Sequence, residues 1–115
     1  MANAEIVAIG SELLLGQIVD TNSAWMAKKL TEVGVDLYFK TVVGDNPDRM
    51  REVLARALSR ADVVITSGGL GPTKDDITRE IIADVTKRKL ITDQNLVVQM
   101  KNRFQKRGLI MTKNN

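Results

Sequence analysis

Ser67, Gly68, Gly69, Leu70, Gly71, Pro72, Thr73, Lys74, Asp75, Asp76, Ile77 and Thr78 form a run with three glycines in four residues, followed by two adjacent acids. Glycine lets the backbone approach a ligand closely and aim several amides at it, and a helix starting just afterwards adds its positive end. An anionic group such as phosphate fits this chemistry, with Lys74 as a further contact. A tight strand-to-helix turn would need the same glycines for its own geometry. The run is neither a Walker motif nor a dinucleotide fingerprint. Asp75 and Asp76 either complement a helix dipole or hold a divalent cation, magnesium or similar, against phosphate oxygens. Asp45 is either a turn residue or a second ligand for a cation held by Asp76, and Glu12 is similarly placed. A second polar stretch carries Gly10, Ser11 and Glu12, then Asp20, Thr21 and Asn22.

Elements that could bring these stretches together follow from the apolar pattern. Ile6 to Ile9, stopped by Gly10, reads as a short buried strand. After a loop containing Gly16, the oxygens of Thr21, Asn22 and Ser23 offer a helix cap, and Met26, Leu30 and Val33 recur at helical spacing before Gly34. Val35 to Val43 reads as a second strand. Asn46 followed by Pro47 starts a helix with Met50, Val53, Leu54, Ala57 and Leu58 on one face, ending near Ala61. Val63 to Thr66 reads as a third strand, apolar enough for both faces to be covered. The glycine-rich run then leads into a helix with Ile77, Ile81 and Val85 inward. A last helix, capped by Thr92, turns Val97, Met100 and Phe104 inward and stops at Gly108. Strand and helix alternate, which implies a doubly wound, mostly parallel sheet in a three-layer α/β/α arrangement. Ligands in such folds bind beyond the carboxyl ends of the strands, where both polar stretches fall.

The 115 residues allow one domain, and the absence of cysteine and histidine excludes disulfides, thiolate or imidazole metal sites and histidine-based triads. No run is apolar and long enough for a membrane span, and the start lacks signal-peptide character, so a cytoplasmic location is the expectation. The net charge of +3 is uneven: residues 1–85 sum to −4 and residues 86–115 to +7. The basic groups Lys87, Arg88, Lys89 and Lys101, Arg103, Lys106, Arg107 read as solvated surface. Aromatic residues make up 3% of the chain and no recognition motif interleaves the charge, so nucleic acid is not the expected partner, and binding it through the basic end is the alternative reading. Trp25 beside the first helical stripe reads as core or subunit contact.

Three ordered motifs, Gly10 to Asn22, Val43 to Asn46 and Ser67 to Thr78, closely resemble the amino-terminal domain of the CinA competence/damage-inducible proteins, part of the wider molybdopterin-binding group. The resemblance implies that family's three-layer α/β fold and a site for a nucleotide or pterin phosphate, molybdopterin among the possible ligands. It implies functional roles for Asp76 and Asp45, with Asp75 assisting, and metal-dependent hydrolysis of ADP-ribose to AMP and ribose 5-phosphate. Gly10, Ser11, Glu12, Asp20, Asn22, Ser67, Gly68, Gly69, Gly71, Thr73 and Thr78 are the expected substrate- and phosphate-binding residues. A homo-oligomer is expected, as is a single domain over residues 1–115 that lacks the carboxy-terminal part of the family fold. The family's deamidase activity belongs to another domain and is not carried over.

Overall fold

A computed structural model describes residues 2–71 and 77–106. Three strands, β1 (Asn3–Ile9), β2 (Asp36–Val43) and β3 (Val63–Ser67), form a parallel sheet in the order β2-β1-β3. Central β1 is buried from Ala4 to Ile9, so both of its faces are covered and it reads as an unbroken apolar run apart from Glu5. The helices are α1 (Ser11–Leu14), α2 (Thr21–Glu32), α3 (Pro47–Arg60), α4 (Thr78–Thr86) and α5 (Gln94–Lys106).

The core joins Val7 and Ile9 of β1 and Val43 of β2 to Met50, Leu54 and Ala57 of α3 and Ile81 of α4. These helix residues fall three or four apart, the spacing that makes one face, and Ile77 and Val85 flank it as expected. Asn46 caps α3 by accepting from the Arg49 amide at 3.0 Å, with Pro47 in the first turn. At the other end of the sheet, Glu5 is 1% exposed and is gripped by Arg60, whose Nε and Nη2 donate to its two carboxylate oxygens at 2.8 and 3.1 Å. Thr41 Oγ1 donates to the same carboxylate at 3.3 Å, and the Arg60 guanidinium lies 3.5 Å from the Phe39 ring centre. The hydrogen bond to Glu5 raises the Arg60 pKa above its ordinary value, against the lowering effect of burial, and the charge of Glu5 adds to the rise.

Several details depart from the sequence reading. The segment after Gly10 contains the four-residue α1, too short to show a helical period. Helix α2 is capped by Asp20, whose Oδ1 accepts from the Ser23 amide at 3.0 Å, rather than by Thr21, Asn22 or Ser23. Val33 lies at the carboxyl cap of α2, beyond the turn that faces the sheet, and is 73% exposed. Trp25 is not core: it is 62% exposed, with Lys29 Nζ 5.6 Å from its ring centre. β3 is half-buried and not fully covered, because among the described residues it pairs with β1 alone. Helix α5 is preceded by Asp93, whose Oδ1 accepts from the Asn95 and Leu96 amides, so Thr92 is not the cap. Val97, Met100 and Phe104 are the half-buried face of α5, which has no fully buried residue. Arg107, Gly108 and the possible strand at Leu109 to Met111 lie outside the described residues. Among the described residues, no helix is long and apolar enough to cross a membrane.

Candidate functional site

Parallel strands β1 and β3 end side by side, with Ala8 in register with Ser67. Their outgoing loops therefore start next to each other, which is how two stretches some 50 residues apart come to share one pocket. The pocket, of about 270 Å³, is lined by Ile9, Glu12, Leu13, Ile18, Val19, Asp20, Thr21, Asn22, Ser67 and Gly68. Of the expected residues it brings together Glu12, Asp20, Asn22, Ser67 and Gly68. Its apolar walls, Ile9, Leu13, Ile18 and Val19, were missed by sequence reasoning; the apolar run Leu13 to Leu15 and the pair Ile18 and Val19, left in a loop, were the available signal.

Gly68 and Gly69 are required by their surroundings. Gly68 has φ +99°, and a Cβ there would collide with the carbonyl oxygen of Ile9. Gly69 has φ +69°, and its Cβ would collide with Thr78 Oγ1. Thr78 is fully buried; its hydroxyl donates to the Gly68 carbonyl at 2.9 Å and its amide to the Gly69 carbonyl at 3.2 Å. It thus pins the glycine loop from behind and does not face the pocket. Gly71 is exposed in the same loop.

Asp45 is engaged elsewhere. Its Oδ2 accepts from the Ser11 amide at 3.2 Å, while Ser11 Oγ accepts from the Asp45 amide at 3.2 Å. This reciprocal pair fastens the amino end of α1 to the end of β2, and Gly44 lets α1 approach, since a Cβ there would lie 3.3 Å from Leu14 Cδ2. Gly10 crosses between the strands, its amide donating to the Val43 carbonyl at 2.9 Å. Ser11, Asp45 and Gly10 therefore form a support beside the pocket and are not among its lining residues. Thr73, Lys74, Asp75 and Asp76 lie outside the described residues. Among the described residues, no three acidic side chains come together in a group able to hold a metal ion.

Comparison with known proteins gives a consistent result. The family model described as a probable molybdopterin binding domain matches residues 5–114. A relative from Symbiobacterium thermophilum named "Putative competence-damage inducible protein" is 54% identical over 112 residues, covering 97% of this chain and 26% of the relative. The chain thus spans about a quarter of the length of the curated relatives it matches. Among solved structures, the protein CinA of Thermoplasma acidophilum superposes with a TM-score of 0.86 at 33% identity, over 98% of this chain and 66% of that one. The tungsten cofactor synthesizing protein MoaB of Pyrococcus furiosus superposes with a TM-score of 0.67 at 27% identity, over 73% of this chain and 52% of that one.

Proposed function

The chain belongs to the molybdopterin-binding domain family, in its CinA-like branch, and on that premise we propose that it binds a phosphorylated pterin or nucleotide at the carboxyl edge of its sheet. The observation that carries this reading is one pocket shared by residues of both polar stretches, Glu12, Asp20, Thr21 and Asn22 from the first and Ser67 and Gly68 from the second. Glycine-loop amides next to that pocket suit the phosphate, and the pocket's apolar walls suit the face of a ring. A volume of about 270 Å³ lies below the range of about 300–1,000 Å³ usual for larger ligands. That is room for one ring system within the described walls. Gly69, Gly71 and Thr73 belong to this phosphate side of the proposal, with Thr78 as its brace. Isothermal titration of the chain with AMP, with a pterin phosphate and with ADP-ribose tests the reading: saturable binding of at least one is expected, and none binding refutes it.

A second reading is hydrolysis of an ADP-ribose-type diphosphate to AMP and ribose 5-phosphate with a divalent cation. It rests on the resemblance of the three motifs and on Asp76 and Asp75. Asp45 spends Oδ2 on the Ser11 amide, and the described residues do not assemble a cation site. AMP release from ADP-ribose in magnesium, manganese or cobalt, lost in Asp76→Ala, is the outcome this reading requires. Self-association and a cytoplasmic location are further proposals, the first checked by sedimentation and the second by cell fractionation.

A further inference from the structure

Glu5 is the one charged side chain buried among the described residues, and stability alone does not account for its pairing with Arg60, because apolar side chains of similar size often serve a buried site as well as an ion pair does. The best-attested use of such buried polar contacts is to fix a register. The pairing of β2 with β1 has a register to fix. Asn3 and Ala4 face Asp36 and Leu37, but Glu5 faces Phe39, so Tyr38 is an extra residue bulged out of β2. Above the bulge, Val7 faces Thr41 and Ile9 faces Val43. Pairing without the bulge would keep the Asn3 and Ala4 pairs and shift the rest, setting Tyr38 against Glu5, Lys40 against Val7 and Val42 against Ile9.

The apolar pattern discriminates poorly between these two registers. Tyr38 and Phe39 are both aromatic and both exposed, and Val42 and Val43 are the same residue. Lys40 lies on a strand whose sole partner among the described residues is β1, so its ammonium can reach water in either register. The contacts around Glu5 do discriminate. Thr41 Oγ1 donates to the Glu5 carboxylate at 3.3 Å, and the Arg60 guanidinium lies 3.5 Å from the Phe39 ring centre. Phe39 and Thr41 stand on the Glu5 face of the sheet only with the bulge in place, because a one-residue shift turns every side chain to the opposite face.

We infer that Glu5, Arg60, Thr41 and Phe39 form a register lock, which holds the bulge at Tyr38 and thereby positions the far end of β2, where Gly44 and Asp45 meet α1. In the shifted register Val43 would take the place of Gly44, where a Cβ lies 3.3 Å from Leu14 Cδ2. Asp45 would stand one residue, about 3.3 Å, too far along to exchange hydrogen bonds with Ser11. The seat of α1 would go with those bonds, and α1 supplies Glu12 and Leu13 to the pocket. Glu5 and Arg60 are thus positioning residues for a pocket that neither of them lines. No ligand takes part, so failure of the proposed function leaves the lock intact.

The test is Glu5→Leu combined with Arg60→Met, an apolar pair of similar volume, compared with wild type by NMR. Wild type should show one set of backbone signals, with cross-strand contacts between Val7 and Thr41. The double variant should keep the fold yet show a second set for Val42 to Asp45 at about a tenth of the intensity or more, with contacts between Val7 and Lys40 and a shifted Ser11 amide. Deleting Tyr38 in the same double variant removes the extra residue, so β2 pairs without a bulge in its wild-type upper register, and should restore one set and the wild-type Ser11 shift. A pair that only stabilises predicts neither the second set nor its rescue. One wild-type-like set in the double variant overturns the lock, and so does a second set that survives the deletion. A double variant that fails to fold should regain its fold on deletion of Tyr38, and a deletion variant that stays unfolded refutes the lock.

Discussion

Substituting Gly68 by alanine separates two costs that the glycine loop combines. At φ +99° an L-residue is strained by at least the usual left-handed cost, about 1–2 kcal/mol. The new Cβ would also press on the Ile9 carbonyl, which belongs to the central strand and cannot retreat, because Ile9 sits in the core. Overpacking of this kind costs about 1–3 kcal/mol. Together the loss is about 2–5 kcal/mol, against a total stability of about 6–17 kcal/mol for a domain of this length. Gly16 is the control: its φ is +73° and a Cβ there meets nothing within 4 Å, so Gly16→Ala should show only the conformational cost. In urea, with a slope of about 2 kcal/mol per molar, Gly68→Ala should lower the midpoint by about 1–2.5 M and Gly16→Ala by about 0.5–1 M. Far-UV circular dichroism is the readout to use, since the lone Trp25 is already 62% exposed in the folded chain. Equal losses in the two variants would show that the Ile9 contact is not felt and would refute the packing argument.

Other expectations follow from the supports around the pocket. Thr78→Val keeps the shape but leaves the Gly68 carbonyl without its donor, so thermal denaturation should show a loss of about 1–2 kcal/mol. Asp45→Ala should destabilise by about 1 kcal/mol in the same assay and Asp45→Asn by less, because an amide oxygen can still accept from Ser11. Arg60→Ala should lower the urea midpoint clearly, since it strands the buried Glu5 carboxylate, whereas replacing both partners by leucine and methionine should recover most of that loss. The raised Arg60 pKa means that its contribution is complete below the ordinary arginine range and is lost only as pH climbs through the raised value. Melting temperatures between about pH 7 and about pH 10 should therefore show no loss attributable to this residue.

The strands and long helices were legible because their signals are local. Asn46 and Pro47 announce α3, and Met50, Leu54 and Ala57 show which side of it is buried. What lay hidden depends on residues far apart in the chain. Nothing near Asp45 reveals that it reaches back 34 residues to the Ser11 amide, so its part in fastening α1 to β2 could not be read from its neighbours. Thr78, a ligand contact by the family resemblance, turns its hydroxyl ten residues back to Gly68, a partner its own neighbourhood in the sequence does not announce. The α1 turn offered four residues, too few for a period to show, and with it went the apolar wall of the pocket. Likewise an apolar pattern cannot report how many neighbours a strand has, which is why β3 reads as interior and stands half-covered.

The strand order also sets a timetable for the chain as it is made. Of the three described strands β1 is made before the others, but its partner on one side is β3, and the Asn3–Asp62 contact that closes this pairing spans 59 residues. At about 5–20 residues per second a ribosome takes about 3–12 s to supply that partner. During this interval Ile6, Val7 and Ile9, among the most deeply buried side chains of the finished fold, have nothing on that edge to pair with. Among the described strands the most buried one is thus made before both partners and completes its pairing late, which makes the period between the synthesis of β1 and β3 the time when a holding chaperone has most to offer.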